Sequence, residues 1–163
     1  MKKIFYILTI FLFKFNIAYS LIEVDITRGN LDPLPIAVSP LHVDLQSDNY
    51  QDVKIKELGE LISSVVEKNF RSTGLFNPLN KDAFVQKPDI AHLKPRFEDW
   101  SLITAQALVT GKLLIKDEKL KIEFRLWDVA ANKEMIALAF TTTPSNWRRV
   151  AHIISDKIYE RLT

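Results

Sequence analysis

The chain is expected to fold as an α/β protein: a two-layer sandwich of about five mixed strands with two long helices on one face. Three observations predict this. Residues 52–73 and 147–162 each carry a single apolar stripe at three- and four-residue spacings, the period of a helix with one buried face. Between residues 106 and 142 three strand-like runs follow one another with short polar links, which predicts an antiparallel meander. Two short apolar runs precede the first helix. Each element has one face to bury, and helices laid on a sheet bury both kinds at once.

The first 20 residues read as a signal peptide rather than as fold. Lys2 and Lys3 form a positive start, Ile4 to Phe13 an apolar stretch, and Ala18-Tyr19-Ser20 a small-residue cleavage site before Leu21. The rival reading is a membrane anchor, but a spanning helix needs about 20 mainly apolar residues and Lys14 interrupts the run. The expected division is therefore 1–20 leader and 21–163 one α/β domain.

In the mature part, Leu21 to Ile26 alternates strictly. Ile22, Val24 and Ile26 share one face, Glu23 and Asp25 the other, so a strand with a polar face is expected. Pro33 and Pro35 remove ladder donors from the turn that follows. Pro35 to Pro40 is a short apolar strand bracketed by prolines. The first helix runs from Asp52 to Thr73, with Val53, Leu58, Leu61, Ile62, Val65, Val66 and Phe70 as its stripe. Gly74 takes the left-handed position beyond its end, and Pro78 forbids continuation. FRSTGLFNPLN is thus a helix stop leading into an apolar hook. Lys81 to Arg96 has no sustained period and reads as loop, with one helical turn near Asp82 to Val85. Phe97 to Leu102 reads as a short helix turning Trp100 and Ile103 inward. Gln106–Ile115, Leu120–Trp127 and Glu134–Thr142 are the three strands. Pro144 suits the first position of the last helix, capped by Thr143.

Composition excludes several chemistries. The chain of 163 residues has 22 basic and 20 acidic side chains; Lys2, Lys3 and Lys14 lie in the leader, leaving 19 against 20 in the mature part. A near-neutral protein offers no electrostatic footprint for nucleic acid. With no cysteine there can be no disulfide, zinc-thiolate site or thiol nucleophile. His42, His92 and His152 show no ligand spacing, so no metal or cofactor is expected. The isolated glycines build no phosphate loop, and no GxSxG elbow exists. Ser63 and His152 are the residues an exported small hydrolase would use, and Glu23 with Asp25 are close enough in sequence to serve as an acid–base pair; a polar strand face explains the latter more simply. Trp100 and Trp147 suit the core edge. Trp127, on the charged face of its strand, is either an interaction surface or covered by a helix or loop. The segment Leu21 to Ile26 is short, alternating and at the mature terminus. Such a strand can detach, or add its backbone to a partner's sheet edge.

Several stretches, in order, resemble the TolB amino-terminal domain family of the Tol-Pal system. LIEVDITRG with PIAVSPL resembles its opening strand, turn and second strand. NFRSTGLFNPLN resembles its helix end, usually R-x-S-G-x-F, with Thr73 intervening. Trp100 with AQALVTGKL, then FRLWDV, then NWRRVAHIISDKIYERLT resemble the segments that follow. The resemblance implies a periplasmic, non-enzymatic interaction domain ahead of a six-bladed β-propeller. It implies contact with TolA through the N-terminal segment, here Leu21, Ile22, Glu23, Val24, Asp25, Ile26, Thr27 and Arg28. Roles in outer-membrane integrity, cell division and colicin import come with the family. Pal is bound there by the propeller, whose blade-length repeats this sequence lacks, so a truncated product or a fragment is expected, with Pal binding not carried over. A stand-alone envelope-assembly module of similar shape is the other non-enzymatic reading.

Overall fold

The structure, a computed structural model, describes residue 22, residues 32–44, residue 55 and residues 57–163. The strand expected at Leu21–Ile26 and the start of the first helix therefore lie, Ile22 and Ile55 apart, outside the described residues. The leader lies outside them as well. Among the described residues no helix is long and apolar enough to cross a membrane.

Among the described residues six strands form one mixed sheet: β1 (Leu34–Val38), β2 (His42–Asp44), β3 (Phe76–Pro78), β4 (Ala107–Lys116), β5 (Lys119–Asp128) and β6 (Lys133–Thr142). Their order is β3-β1-β4-β5-β6, with β2 also paired to β4. β1 and β2 lie end to end along β4, both parallel to it, through Ile36↔Ala107 and His42↔Lys112. Pro40 separates them because it lacks the N–H that a continuous ladder would need. β4, β5 and β6 form the expected antiparallel meander.

Helices α1 (Leu58–Thr73) and α4 (Trp147–Leu162) cover one face of the sheet. α1 buries Leu58, Ile62, Val66 and Phe70; α4 buries Val150, Ala151, Ile154, Ile158 and Leu162. They meet the inward rows of the strands in one core with Ile36, Val109, Ile122, Phe124 and Leu126. Gly74 has φ of 70° and ends α1 as expected. Before α4 the chain forms a 3-10 turn, Pro144–Asn146; Thr143 precedes it in extended conformation but makes no side-chain cap.

Besides the strand at His42–Asp44 and the missing Thr143 cap, two further features differ from the sequence expectation. The hook after Gly74 is not only a turn. Leu75 O accepts from Leu34 N at 2.9 Å, and Phe76–Pro78 becomes edge strand β3, its Phe76 ring 5.0 Å from that of Phe70. Residues 81–96 are also more ordered than a loop with one turn: besides a 3-10 turn at Lys81–Ala83 they contain helix α2 (Pro88–Ala91), which leads to helix α3 (Phe97–Leu102), present where it was expected. These pack Trp100 and Ala91 on Ala37, Leu108 and Val129, a second small core on the other face of the sheet. The buried Gln86 side chain holds this cap together. Its Oε1 accepts from Arg96 N (2.9 Å) and Trp100 Nε1 (3.1 Å), and its Nε2 donates to Lys94 O (3.0 Å).

The β4–β5 hairpin turns at Asp117 and Glu118, with φ of 50° and 60°. Both sit in the left-handed region that the tight hairpin requires and that non-glycine residues resist. Glu118→Gly is expected to stabilise the domain by about 0.5–1 kcal/mol, read as a rise in urea midpoint at unchanged m-value.

Candidate functional site

Ile22 is the described residue of the segment Leu21–Arg28; the other seven lie outside the described residues. Its position is informative. The half-buried side chain packs on the main core, and its amide N–H donates to Asp128 Oδ2 at 3.4 Å. Asp128 ends β5, paired with Ala107 on one side and Lys133 on the other. It is fully buried. Its Oδ1 accepts from Ala131 N at 2.8 Å and so fixes the turn into β6. A short acidic side chain is suited to this because it can bond to a backbone amide three residues on. One carboxylate oxygen thus shapes the turn, and the other receives the amide of Ile22. No local pattern in the sequence marks Asp128, since its partners Ile22 and Ala131 meet it only in the fold.

The other candidates are arranged for structure. Ser63 Oγ donates to Glu60 O at 2.9 Å and accepts from Lys81 Nζ at 3.1 Å. Lys81 is ion-paired with Glu60 and, at 3.0 Å, with Glu67. An ammonium held between two carboxylates has no lone pair with which to take a proton from Ser63. His152 is engaged elsewhere: Asn69 Nδ2 lies 2.9 Å from its Nδ1 and also donates to Ser155 Oγ at 2.9 Å. The structure therefore does not join Ser63 and His152. Trp127 is covered rather than displayed, because Phe97 packs edge-on at 5.7 Å and Trp127 Nε1 donates to Thr110 Oγ1 at 2.9 Å. His42 and His92 stack at 4.5 Å, with His92 Nδ1 2.9 Å from Pro88 O. Among the described residues no group of three or more His, Asp or Glu side chains is placed to hold a metal ion.

The open face of the meander carries charged side chains. Lys121 hydrogen-bonds Glu123 at 2.7 Å, Lys112 stands 3.8 Å from it, and Arg125 pairs with Glu134 at 3.0 Å. The Lys121 hydrogen bond, with the charges of Lys112, Lys121 and Arg125, holds the Glu123 carboxyl below its ordinary value of 4.5, against the opposing effect of partial burial. A depressed carboxyl stabilises the fold above the unfolded value, and that contribution is lost as pH falls through the folded one. Glu123→Gln is expected to cost about 0.2–1 kcal/mol at neutral pH. The difference from the parent closes as the medium is acidified below 4.5, measured by urea melts across that range.

Comparison with known proteins places this geometry in context. Residues 22–135 match the model of the TolB amino-terminal domain. The Tol-Pal system protein TolB of Pelagibacter ubique (strain HTCC1062) is 69% identical over 148 residues, 90% of this chain and 33% of that protein. The chain thus spans about a third of that relative's length. The crystal structure of TolB from Acinetobacter baumannii superposes with a TM-score of 0.62 at 20% identity, over 88% of this chain and 31% of the other. At that identity the likeness speaks for the fold alone.

Proposed function

This chain belongs to the TolB amino-terminal domain family, and from that premise we propose that it is a non-enzymatic protein-interaction module of the Tol-Pal cell envelope system. It acts in the periplasm, reached through removal of residues 1–20. Its recognition segment is Leu21 to Arg28 and its partner is TolA. Through TolA it contributes to outer-membrane integrity and to cell division, the pathway that colicins exploit for import. Pal recognition belongs to the part of the relatives that this chain does not span.

The position of Ile22 carries this reading. Ile22, in a segment whose sequence alternates apolar and acidic side chains, is held by a hydrogen bond from its amide to the buried carboxylate of Asp128. Bonds of this kind contribute about 1.5–3 kcal/mol, little enough for a partner's sheet edge to outcompete them. Pull-down with purified TolA tests the role: mature protein is retained, and protein lacking residues 21–28 is not. Equal retention of the two removes the segment from recognition. Intact-mass measurement on periplasmic protein checks the leader; a mass that begins at Leu21 is expected, and one that still includes Met1 to Ser20 contradicts the export reading.

A further inference from the structure

We propose that the outer edge of β6 is a strand-docking site, and that its occupant is the Leu21–Ile26 segment of a second copy of this chain. The proposal rests on the reading of that segment as exchangeable, given above.

β6 is the last strand of the sheet, and among the described residues it pairs with β5 alone. Its outward N–H and C=O groups form a template for another strand. Exposed edges are normally guarded by charge, proline or a bulge. Here the charges Lys133 and Glu134, and the register shift opposite Leu126 and Trp127, are confined to its start. Met135 to Thr142 carries neither charge nor proline. The middle is open: Ala137, Leu138 and Ala139 are exposed, Leu138 by 40%. With Glu123, Phe124 and Arg125 they line a shallow concavity of about 180 Å³.

The two faces of this edge select what can be added. On the helix side Ile136, Leu138 and Phe140 stand opposite Leu126, Phe124 and Ile122, an apolar row that runs out to the edge. On the other side Ala137 and Ala139 stand opposite Arg125 and Glu123. The short alanines leave the charged row of β5 uncovered. Lys112, Lys121 and Arg125 face two carboxylates there, Glu123 and Glu134, so a positive excess remains. The occupant must therefore alternate apolar with acidic. Leu21–Ile26 does so, with Ile22, Val24 and Ile26 on one face and Glu23 and Asp25 on the other. Beside β6 its apolar row continues that of Leu138, and its acids fall next to the alanines within reach of Arg125 and Lys121.

The seat of Ile22 assigns the edge to a neighbouring copy. Among the described residues Ile22 bonds to Asp128 and makes no pairing with β6, so a copy's own segment is engaged at the end of β5. The segment released by one copy is then the strand that adds to the β6 edge of another.

The experiment uses the mature chain and a synthetic peptide of residues Leu21 to Arg28. Sedimentation is expected to show a concentration-dependent dimer, lost on deletion of residues 21–28 and in Leu138→Lys and Ala137→Glu. These variants alter opposite faces of one exposed strand, and circular dichroism confirms that each is folded. Titrated peptide is expected to slow amide exchange at Met135 to Phe140. Glu23→Lys/Asp25→Lys peptide is expected to bind about tenfold more weakly. A monomer at every concentration, a dimer that survives deletion of 21–28 or either β6 variant, or peptide protection confined to other elements overturns the proposal. TolA retention by the folded Leu138→Lys variant reports separately on the recognition segment, so failure at β6 is distinguishable from failure of the TolA role.

Discussion

Gly59→Ala is expected to destabilise the domain by about 2–3 kcal/mol, although the same change in an ordinary exposed helix stabilises by up to about 1 kcal/mol. A Cβ built at Gly59 meets the backbone oxygen of Leu41 at 2.0 Å and Val43 Cγ2 at 3.3 Å. Leu41 N donates to Gly59 O at 3.3 Å across the same contact. Here the first turn of α1 lies directly on the link between β1 and β2, and only a residue without a side chain permits that approach. A methyl group lifts the helix from the sheet, and the core row of Leu58, Ile62 and Val66 moves with it. For a domain of this size the loss corresponds to a fall in Tm of roughly 4–10 °C. Gly74→Ala is the internal comparison. Nothing lies within 4 Å of its added Cβ, but its φ of 70° strains any side chain, so a loss of about 1 kcal/mol is expected. A Gly59→Ala protein melting at or above the parent temperature would refute the packing account.

Lys81→Ala is expected to cost about 2–3 kcal/mol, unusual for a residue on a surface turn. Glu67 is 7% exposed, and Lys81 reaches it from the 3-10 turn that Asn80 caps. Removing the ammonium leaves a buried carboxylate with Arg71, 3.5 Å away and mostly solvated, as its remaining cation. The loss should therefore be much smaller in a Glu67→Leu background, because the uncompensated charge is then gone. Equal losses in both backgrounds, from chemical denaturation of the four proteins of the cycle, would show that Lys81 acts through packing of its stem instead.

These effects mark where sequence reading reached its limit. The stripes of α1 and α4, the glycine that ends α1, the helix at Phe97–Leu102 and the meander were legible because each is written in contiguous residues with a clear period or turn. β2 and β3 were not, since three residues carry no period. Both exist because the parallel neighbours β1 and β4 supply a ladder. Trp127 had two readings on paper, and the cover by Phe97 decided between them. Of the candidate recognition segment the alternation was legible, whereas its docking point required Asp128, 106 positions further on.

By itself, then, the amino-acid order determined the two long helices, the hairpins, the absence of thiol chemistry and the apolar–acidic alternation of Leu21–Ile26, because helix and strand periods and turn preferences act over a few neighbouring residues. Tertiary structure alone decided which glycine must stay bare, which lysine neutralises a buried acid, where Ile22 is seated and, among the described residues, which strand edge has no neighbour. Those outcomes depend on close packing between residues distant in the chain, and no local pattern encodes which of them will meet.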